Sequence, residues 1–156
     1  IQAAASAASF TGDTPQAPLL TYMSIKSRLQ GFALKLAARS IKDKGKEASD
    51  SLGTLHFSDW VPFEKNHLGF FTIFDGDFAK YIQDFADKTS FVFDAIFPHV
   101  EGAPPTPVAK NAKAFYEWAL EANHPPIGFY SAYPGLGVQD IRALLADYRT
   151  SPSAKA

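Results

Sequence analysis

The chain opens with a short apolar stretch and then changes to helical spacing. Residues 19–26 are mostly apolar and follow Pro18, which predicts a strand. From Leu29 onward, apolar residues recur every three or four positions, which predicts a helix that fades at residues 42–45. The charged run 42–47 is then expected to be a solvated loop. The predicted buried stripe consists of Leu29, Phe32, Ala33, Leu36 and Ala37.

Two apolar segments separated by a short polar stretch predict a β-hairpin. Residues 54–63 and 68–74 form its strands, and a loop of two or four residues gives the same register. In that register His56 faces Asp75, and their face is also lined by Ser58, Trp60, Phe71 and Ile73. A titratable pair beside an aromatic wall is suited to a small-molecule site.

The remaining pattern adds helices and one more strand. The predicted elements are a helix over residues 78–97, a loop over 98–107, a helix over 107–123, a strand over 127–133 and a helix over 138–148. Leaving out the additional helices, the order is β-α-β-β-α-β, that of the ferredoxin-like split fold of the α+β class. We expect one domain over residues 19–149, a flexible arm over 1–18 and a flexible tail over 150–156.

Both faces of the predicted hairpin are apolar, although two helices can cover only one side of a four-stranded sheet. The other side must meet a second subunit, the additional helices or a ligand. A homodimer is one expected solution, in which two sheets pack face to face.

The element order, the segment Leu55-His56-Phe57-x-x-Trp60 and a strand ending in Asp75-Gly-Asp before a long helix resemble the dimeric α/β-barrel superfamily. The resemblance covers residues 19–148 and is strongest to a group with an LHF-[AS]-x-W hairpin. It implies a dimeric α/β barrel. Superfamily members include haem enzymes, namely dye-decolourising peroxidases, chlorite dismutases and haem-degrading monooxygenases, and cofactor-free oxygenases and cyclases. The GxxDG motif of the peroxidases is not reproduced, which lowers the expectation of a peroxidase.

Composition narrows the classes of function. The 14 Phe, 6 Tyr and 2 Trp can fill a core or leave an apolar cavity, while a net charge of −1 gives no electrostatic footprint for nucleic acid. The absence of cysteine excludes thiolate chemistry and disulfides. No apolar run is long enough for a transmembrane segment, and residues 1–18 lack the pattern of a complete signal peptide. The sequence does not decide the cellular compartment. The cytoplasm is slightly favoured, and the sequence is also compatible with a leader that has been removed by processing.

His56 and Asp75 are the candidate catalytic residues. A carboxylate that accepts from one imidazole nitrogen fixes the tautomer and leaves the other nitrogen to act as a base or to bind a ligand. In the alternative interpretation Asp75 caps the next helix and His56 satisfies a backbone group. A β-bulge would shift the register and remove the pairing.

Three further residues are weaker candidates. Tyr130 and Tyr133 lie on the predicted last strand, where a phenol is either a cavity donor or a packing group. His99 follows the long helix and is a candidate axial ligand if haem is bound, the alternative being a helix C-cap.

The leading hypothesis is binding of an apolar small molecule between sheet and helices, with oxidoreductase chemistry of the haem-dependent or cofactor-free kind. The alternatives are a non-catalytic carrier and a structural dimerisation module.

Overall fold

The computed structural model describes residues 16–64 and 66–150, and within them the chain is an α+β protein. Its antiparallel sheet has three strands in the order β1-β3-β2, and five α-helices accompany it in the described ranges. The elements are β1 Gln16–Ser24, α1 Arg28–Leu52, β2 Leu55–Phe63, β3 His67–Asp75, α2 Phe78–Lys88, α3 Ser90–Ile96, α4 Ala112–Ala122 and α5 Val138–Thr150. Single 3₁₀ turns occur at Phe97–His99 and Val108–Lys110.

The first strand begins earlier than predicted. Gln16, Ala17 and Pro18 are buried and pair with β3, so they belong to the sheet and not to the predicted flexible arm. The rest of that arm, residues 1–15, and the tail residues 151–156 lie outside the described residues.

The helix α1 is longer than predicted, and the expected loop at residues 42–47 is wrong. The Ser27 hydroxyl accepts from the Gln30 N–H at 3.2 Å and caps the start, while Gly53, with φ of 73°, ends the helix. The charged run continues the helix because Lys and Glu are good helix formers, and Lys46 pairs with Asp50 one turn later.

The predicted buried stripe of α1 is also wrong. Leu29, Phe32 and Leu36 are exposed, whereas Leu34 and Leu52 are the helix's buried side chains. The helix therefore packs through a narrow contact and leaves apolar side chains at the surface.

The hairpin has a different register from the predicted one. Phe63 pairs with His67, which leaves a three-residue loop and sets Trp60 opposite Phe70. A shift of one residue turns each side chain to the other face of the sheet. A bulge at His56 then shifts the pairing by one further position in the same direction, because Leu55 and not His56 pairs with Phe74.

The helices α2, α3 and α4 cover one face of the sheet. Phe70 contacts Phe85 of α2 and Phe93 of α3, and Phe74 stacks on Tyr81 with 3.9 Å between ring centroids. The predicted helix over residues 78–97 is interrupted at Thr89, whose φ of −125° lies outside the helical range. Its apolar stripe is nonetheless buried as predicted, apart from the half-buried Val92.

The predicted fourth strand, residues 127–133, is irregular. Within the described residues, three backbone contacts lie along the free edge of β1: Asn123 bridges Thr21, the His124 N–H donates to the Leu20 carbonyl at 2.7 Å, and the Glu101 N–H donates to the Ser24 carbonyl at 2.8 Å. Pro125 and Pro126 follow immediately and have no N–H to donate, so the ladder cannot continue there.

Candidate functional site

His56 and Asp75 are in direct contact at one end of the hairpin. His56 Nε2 lies 2.7 Å from Asp75 Oδ1, and their side chains are only 7% and 15% exposed. The predicted contact is therefore present, although the predicted register is wrong. His56 lies in the bulge between Leu55 and Phe57, and its imidazole contacts the carboxylate although the bulge shifts the register further from the predicted one.

Asp75 has a second hydrogen-bond partner, which shows that it caps a helix, but not the next helix in the chain as the alternative interpretation expected. Its Oδ2 accepts from the Val138 N–H at 2.6 Å, at the start of α5. The following helix, α2, is capped instead by Asp77, which accepts from the Lys80 N–H at 2.9 Å. Asp75 thus holds the imidazole and caps a helix that lies far along the chain.

The tautomer of His56 follows from these contacts. A carboxylate accepts, so Nε2 carries the proton, and in the neutral imidazole Nδ1 keeps its lone pair. Nδ1 forms no hydrogen bond with any residue in the described part of the chain. His56 therefore offers a second nitrogen that can accept a proton or a hydrogen bond from a bound molecule.

A cavity of about 860 Å³ lies between α1 and the β2 side of the sheet, and His56 is among its lining residues. Its apolar wall includes Leu34 of α1, Trp60 of β2 and Ile96 of α3, with Leu34 and Ile96 buried. Trp60 stacks on Phe70 with 4.1 Å between ring centroids, which fixes the indole against the core. The volume lies within the range of known small-molecule sites.

The predicted ligand-binding residues of the hairpin divide between two faces. Ser58 and Trp60 line the cavity. Phe71 and Ile73 lie on the opposite face of β3, where Phe71 contacts Phe63. The prediction of one common face is wrong because the loop has three residues, which moves β2 by one position against β3.

The two predicted tyrosines do not reach the cavity. Tyr130 is 86% exposed and Tyr133 is 63% exposed, and neither lines the cavity, because their segment does not form the expected strand. Their predicted placement is wrong for this reason.

His99, the predicted axial haem ligand, does not line the cavity either. It lies in the 3₁₀ turn after α3, and its Nδ1 contacts Gln30 Oε1 of α1. The residues present therefore do not fit a haem bound in this cavity through His99.

The basic residues of α1 are the part of the site that the sequence analysis missed. Arg28, Lys35, Lys42 and Lys46 all line the cavity. The pattern of residue types predicts a solvated loop for the lysines of residues 42–47 and does not single out Arg28 or Lys35. The seven-residue spacing of Arg28, Lys35 and Lys42 is the signal that could have found them, since it repeats every two helical turns.

Other kinds of site receive no support. In residues 16–64 and 66–150, no three His, Asp or Glu side chains converge as they would around a metal ion. Nor does any helix in these ranges combine the length and apolar character needed to cross a bilayer. Comparison of the chain with protein-family models, with curated proteins and with solved structures finds no match.

Proposed function

We propose that this protein binds an apolar small molecule in the cavity between α1 and the sheet. The cavity itself carries the proposal, because it is large enough for a small molecule and is walled by Leu34, Trp60 and Ile96. Phe32 and Phe57 also line the cavity and are 62% and 69% exposed. Such apolar surface left open to water favours an apolar occupant, since burial of apolar area is the main driving force for this kind of binding.

His56 is the polar anchor of this site, and Asp75 is its positioning residue. The carboxylate fixes the imidazole through Nε2, so Nδ1 can accept a hydrogen bond or a proton from the bound molecule. The Val138 N–H at the start of α5 donates to the other carboxylate oxygen of Asp75, and this hydrogen bond holds the carboxylate in the position that orients the imidazole. In many small-molecule sites, a few polar groups in an otherwise apolar cavity fix the orientation of the ligand.

If the protein is an enzyme, we propose cofactor-free oxidoreductase chemistry, in which Nδ1 of His56 removes a proton from the substrate and molecular oxygen, as co-substrate, accepts the electrons of the resulting anion. Haem-dependent chemistry is the less favoured form, because His99 lies outside the cavity lining. In the carrier alternative, the same nitrogen only holds the ligand. His56→Ala abolishes turnover in the first case and only weakens binding in the second.

The experiment is a fluorescence titration with N-phenyl-1-naphthylamine, an uncharged apolar probe. Gly31 of α1 lines the cavity, and a Cβ atom there meets no atom within 4 Å. Gly31→Trp should therefore fill part of the cavity and weaken binding of the probe, whereas Gly31→Ala should leave it unchanged. Failure of the unmodified protein to bind the probe would refute the proposal, and so would equal binding by the two variants.

A homodimer is a second proposal, which rests on the uncovered face of the sheet. Tyr22 is 49% exposed on that face and contacts Phe63 and His67, which also line the cavity, and Phe63 in turn contacts Phe71. We propose that a second copy covers this face, as in a dimeric α/β barrel. The Asn123–Thr21 bridge on the free edge of β1 supports a ferredoxin-like arrangement, whose last strand lies beside the first.

A further inference from the structure

The basic residues on the cavity side of α1 form a regular stripe. Arg28, Lys35 and Lys42 are seven residues apart, which is about two turns of an α-helix, and Lys46 lies one turn beyond Lys42. All four line the cavity. The same helix contributes apolar lining from Leu34 and Ile41. The cavity therefore has an apolar interior and a basic border.

This positive charge is poorly balanced. Among the lining residues within the described part of the chain, Asp50 is the only carboxylate, and it pairs with Lys46 at 3.3 Å. Across the same part of the chain, no carboxylate lies within ion-pair distance of Arg28, Lys35 or Lys42. Three cations thus line the cavity without an acidic partner.

We infer that the natural ligand is an apolar anion, with a carboxylate or a similar acidic group on an aromatic or aliphatic body. This inference rests on the proposed function and specifies the chemical class of its ligand. The apolar body lies against Trp60, Leu34 and Ile96, and the acidic group lies toward Arg28, Lys35 and Lys42. Oriented cations at the border of a low-dielectric cavity attract an anion and fix its direction of entry.

Two other classes of ligand are less favoured, namely a neutral one and a cationic one. A neutral apolar ligand would leave the three cations without a role in the site. A cationic ligand would meet repulsion from them, with Asp50 already paired. The chemistry of the lining therefore selects an acidic ligand.

The experiment compares two probes with the same phenylnaphthylamine frame. N-Phenyl-1-naphthylamine is uncharged, and 1-anilinonaphthalene-8-sulfonate carries one negative charge. The protein should bind the anionic probe more tightly at low salt, and this preference should shrink as salt is raised. The double variant Lys35→Gln/Lys42→Gln should lower the affinity for the anionic probe about fivefold. Binding of the uncharged probe should stay within about twofold.

Lys44→Gln is the matched control. Lys44 is exposed on the same helix but does not line the cavity, so its removal changes net charge without changing the border of the cavity. It should leave the affinity of both probes unchanged.

The outcomes separate the two proposals. Loss of binding for both probes in the unmodified protein would refute the proposed function. Equal affinity for the two probes, with no effect of Lys35→Gln/Lys42→Gln, would overturn the present inference and leave the proposed function standing. The cations could instead meet the headgroups of an anionic membrane. Sedimentation with phosphatidylserine vesicles that depends on Lys35 and Lys42, without a preference between the soluble probes, would also overturn it.

Discussion

Trp60 and Phe71 lie on opposite faces of one β-hairpin. Trp60 stacks on Phe70 on the face covered by the helices, whereas Phe71 contacts Phe63 on the uncovered face. A molecule that touches Trp60 therefore occupies the cavity beside α1, and a molecule that touches Phe71 lies on the other side of the sheet. The two residues distinguish ligand binding from association with a second copy.

The carboxylate of Asp75 is expected to stabilise the fold as well as to orient His56. Asp75→Asn removes its charge and can satisfy only one of the two donors with its amide oxygen, so the free energy of unfolding should fall by about 1–3 kcal/mol. Amide hydrogen exchange in the first turn of α5 should also become faster, because the Val138 N–H loses its anionic acceptor.

Asp77→Asn is the control for this prediction. Asp77 caps α2 through the Lys80 N–H, and Asn is an equally good N-cap residue, so stability should change little. Equal destabilisation by the two substitutions in urea unfolding would contradict the role assigned to Asp75.

Two glycine substitutions should change stability in opposite directions. A Cβ at Gly69 would lie 2.7 Å from the rings of Phe63 and Phe71, so Gly69→Ala should destabilise the protein by about 1–3 kcal/mol through overpacking. A Cβ at Gly31 meets no atom within 4 Å, and Gly31→Ala in helix α1 should stabilise it by about 0.5–1 kcal/mol. Urea unfolding of both variants measures this contrast, and a shift in the same direction would refute it.

Tyr81 should make the fold sensitive to alkaline pH. Burial raises the pKa of its phenol well above the usual range, and the nearby Thr72 hydroxyl opposes this rise only in part. The unfolded chain releases this proton near pH 10, but the folded chain keeps it, so stability is full below about pH 10 and falls above it. The phenol hydroxyl forms no hydrogen bond of acceptable geometry with any described residue, Thr72 included, so Tyr81→Phe should cost little at neutral pH.

The pH dependence provides the measurement. Urea unfolding at pH 7 and pH 11 should show that Tyr81→Phe gains about 1.4 kcal/mol relative to the unmodified protein at the higher pH. Tyr130→Phe, at a position that is 86% exposed, should show no such gain. An identical response of the two variants to pH would contradict burial of Tyr81 as the cause.

The proposed dimer predicts the solution mass. The unmodified protein should sediment as a dimer at micromolar concentration, and Tyr22→Glu on the uncovered sheet face should produce a monomer by placing a charge in an apolar contact. Leu29→Glu provides the comparison, since Leu29 is 75% exposed on α1 and is not part of that face. A monomeric unmodified protein at this concentration would refute the proposed dimer.

The sequence predicted the types of most elements because their apolar periods are clear. The stripe from Phe78 to Ile96 is an example, since each of its apolar residues is buried or half-buried in the structure. The register of the hairpin could not be predicted, because a loop of three residues and a loop of two or four both fit the polar residues between the strands. The contact of His56 with Asp75 depends on a bulge, which leaves no mark in the pattern of residue types.

The prediction of a C-terminal strand failed for a different reason. Residues 127–133 are apolar enough for a strand, but strand formation also requires pairing partners, and the preceding prolines interrupt pairing with β1. The basic lining of the cavity was missed because it appears only once the run at residues 42–47 is placed in the helix.

The position of a bound apolar molecule tests the proposed site most directly. Nuclear Overhauser effects between N-phenyl-1-naphthylamine and the aromatic and methyl groups of the labelled protein measure this position. The proposed site predicts contacts of the probe with the Trp60 indole and the Leu34 methyl groups, and none with the rings of Phe71 or Tyr22. Contacts with Phe71 and Tyr22 and none with Trp60 would place the ligand on the uncovered face of the sheet and contradict the proposed site.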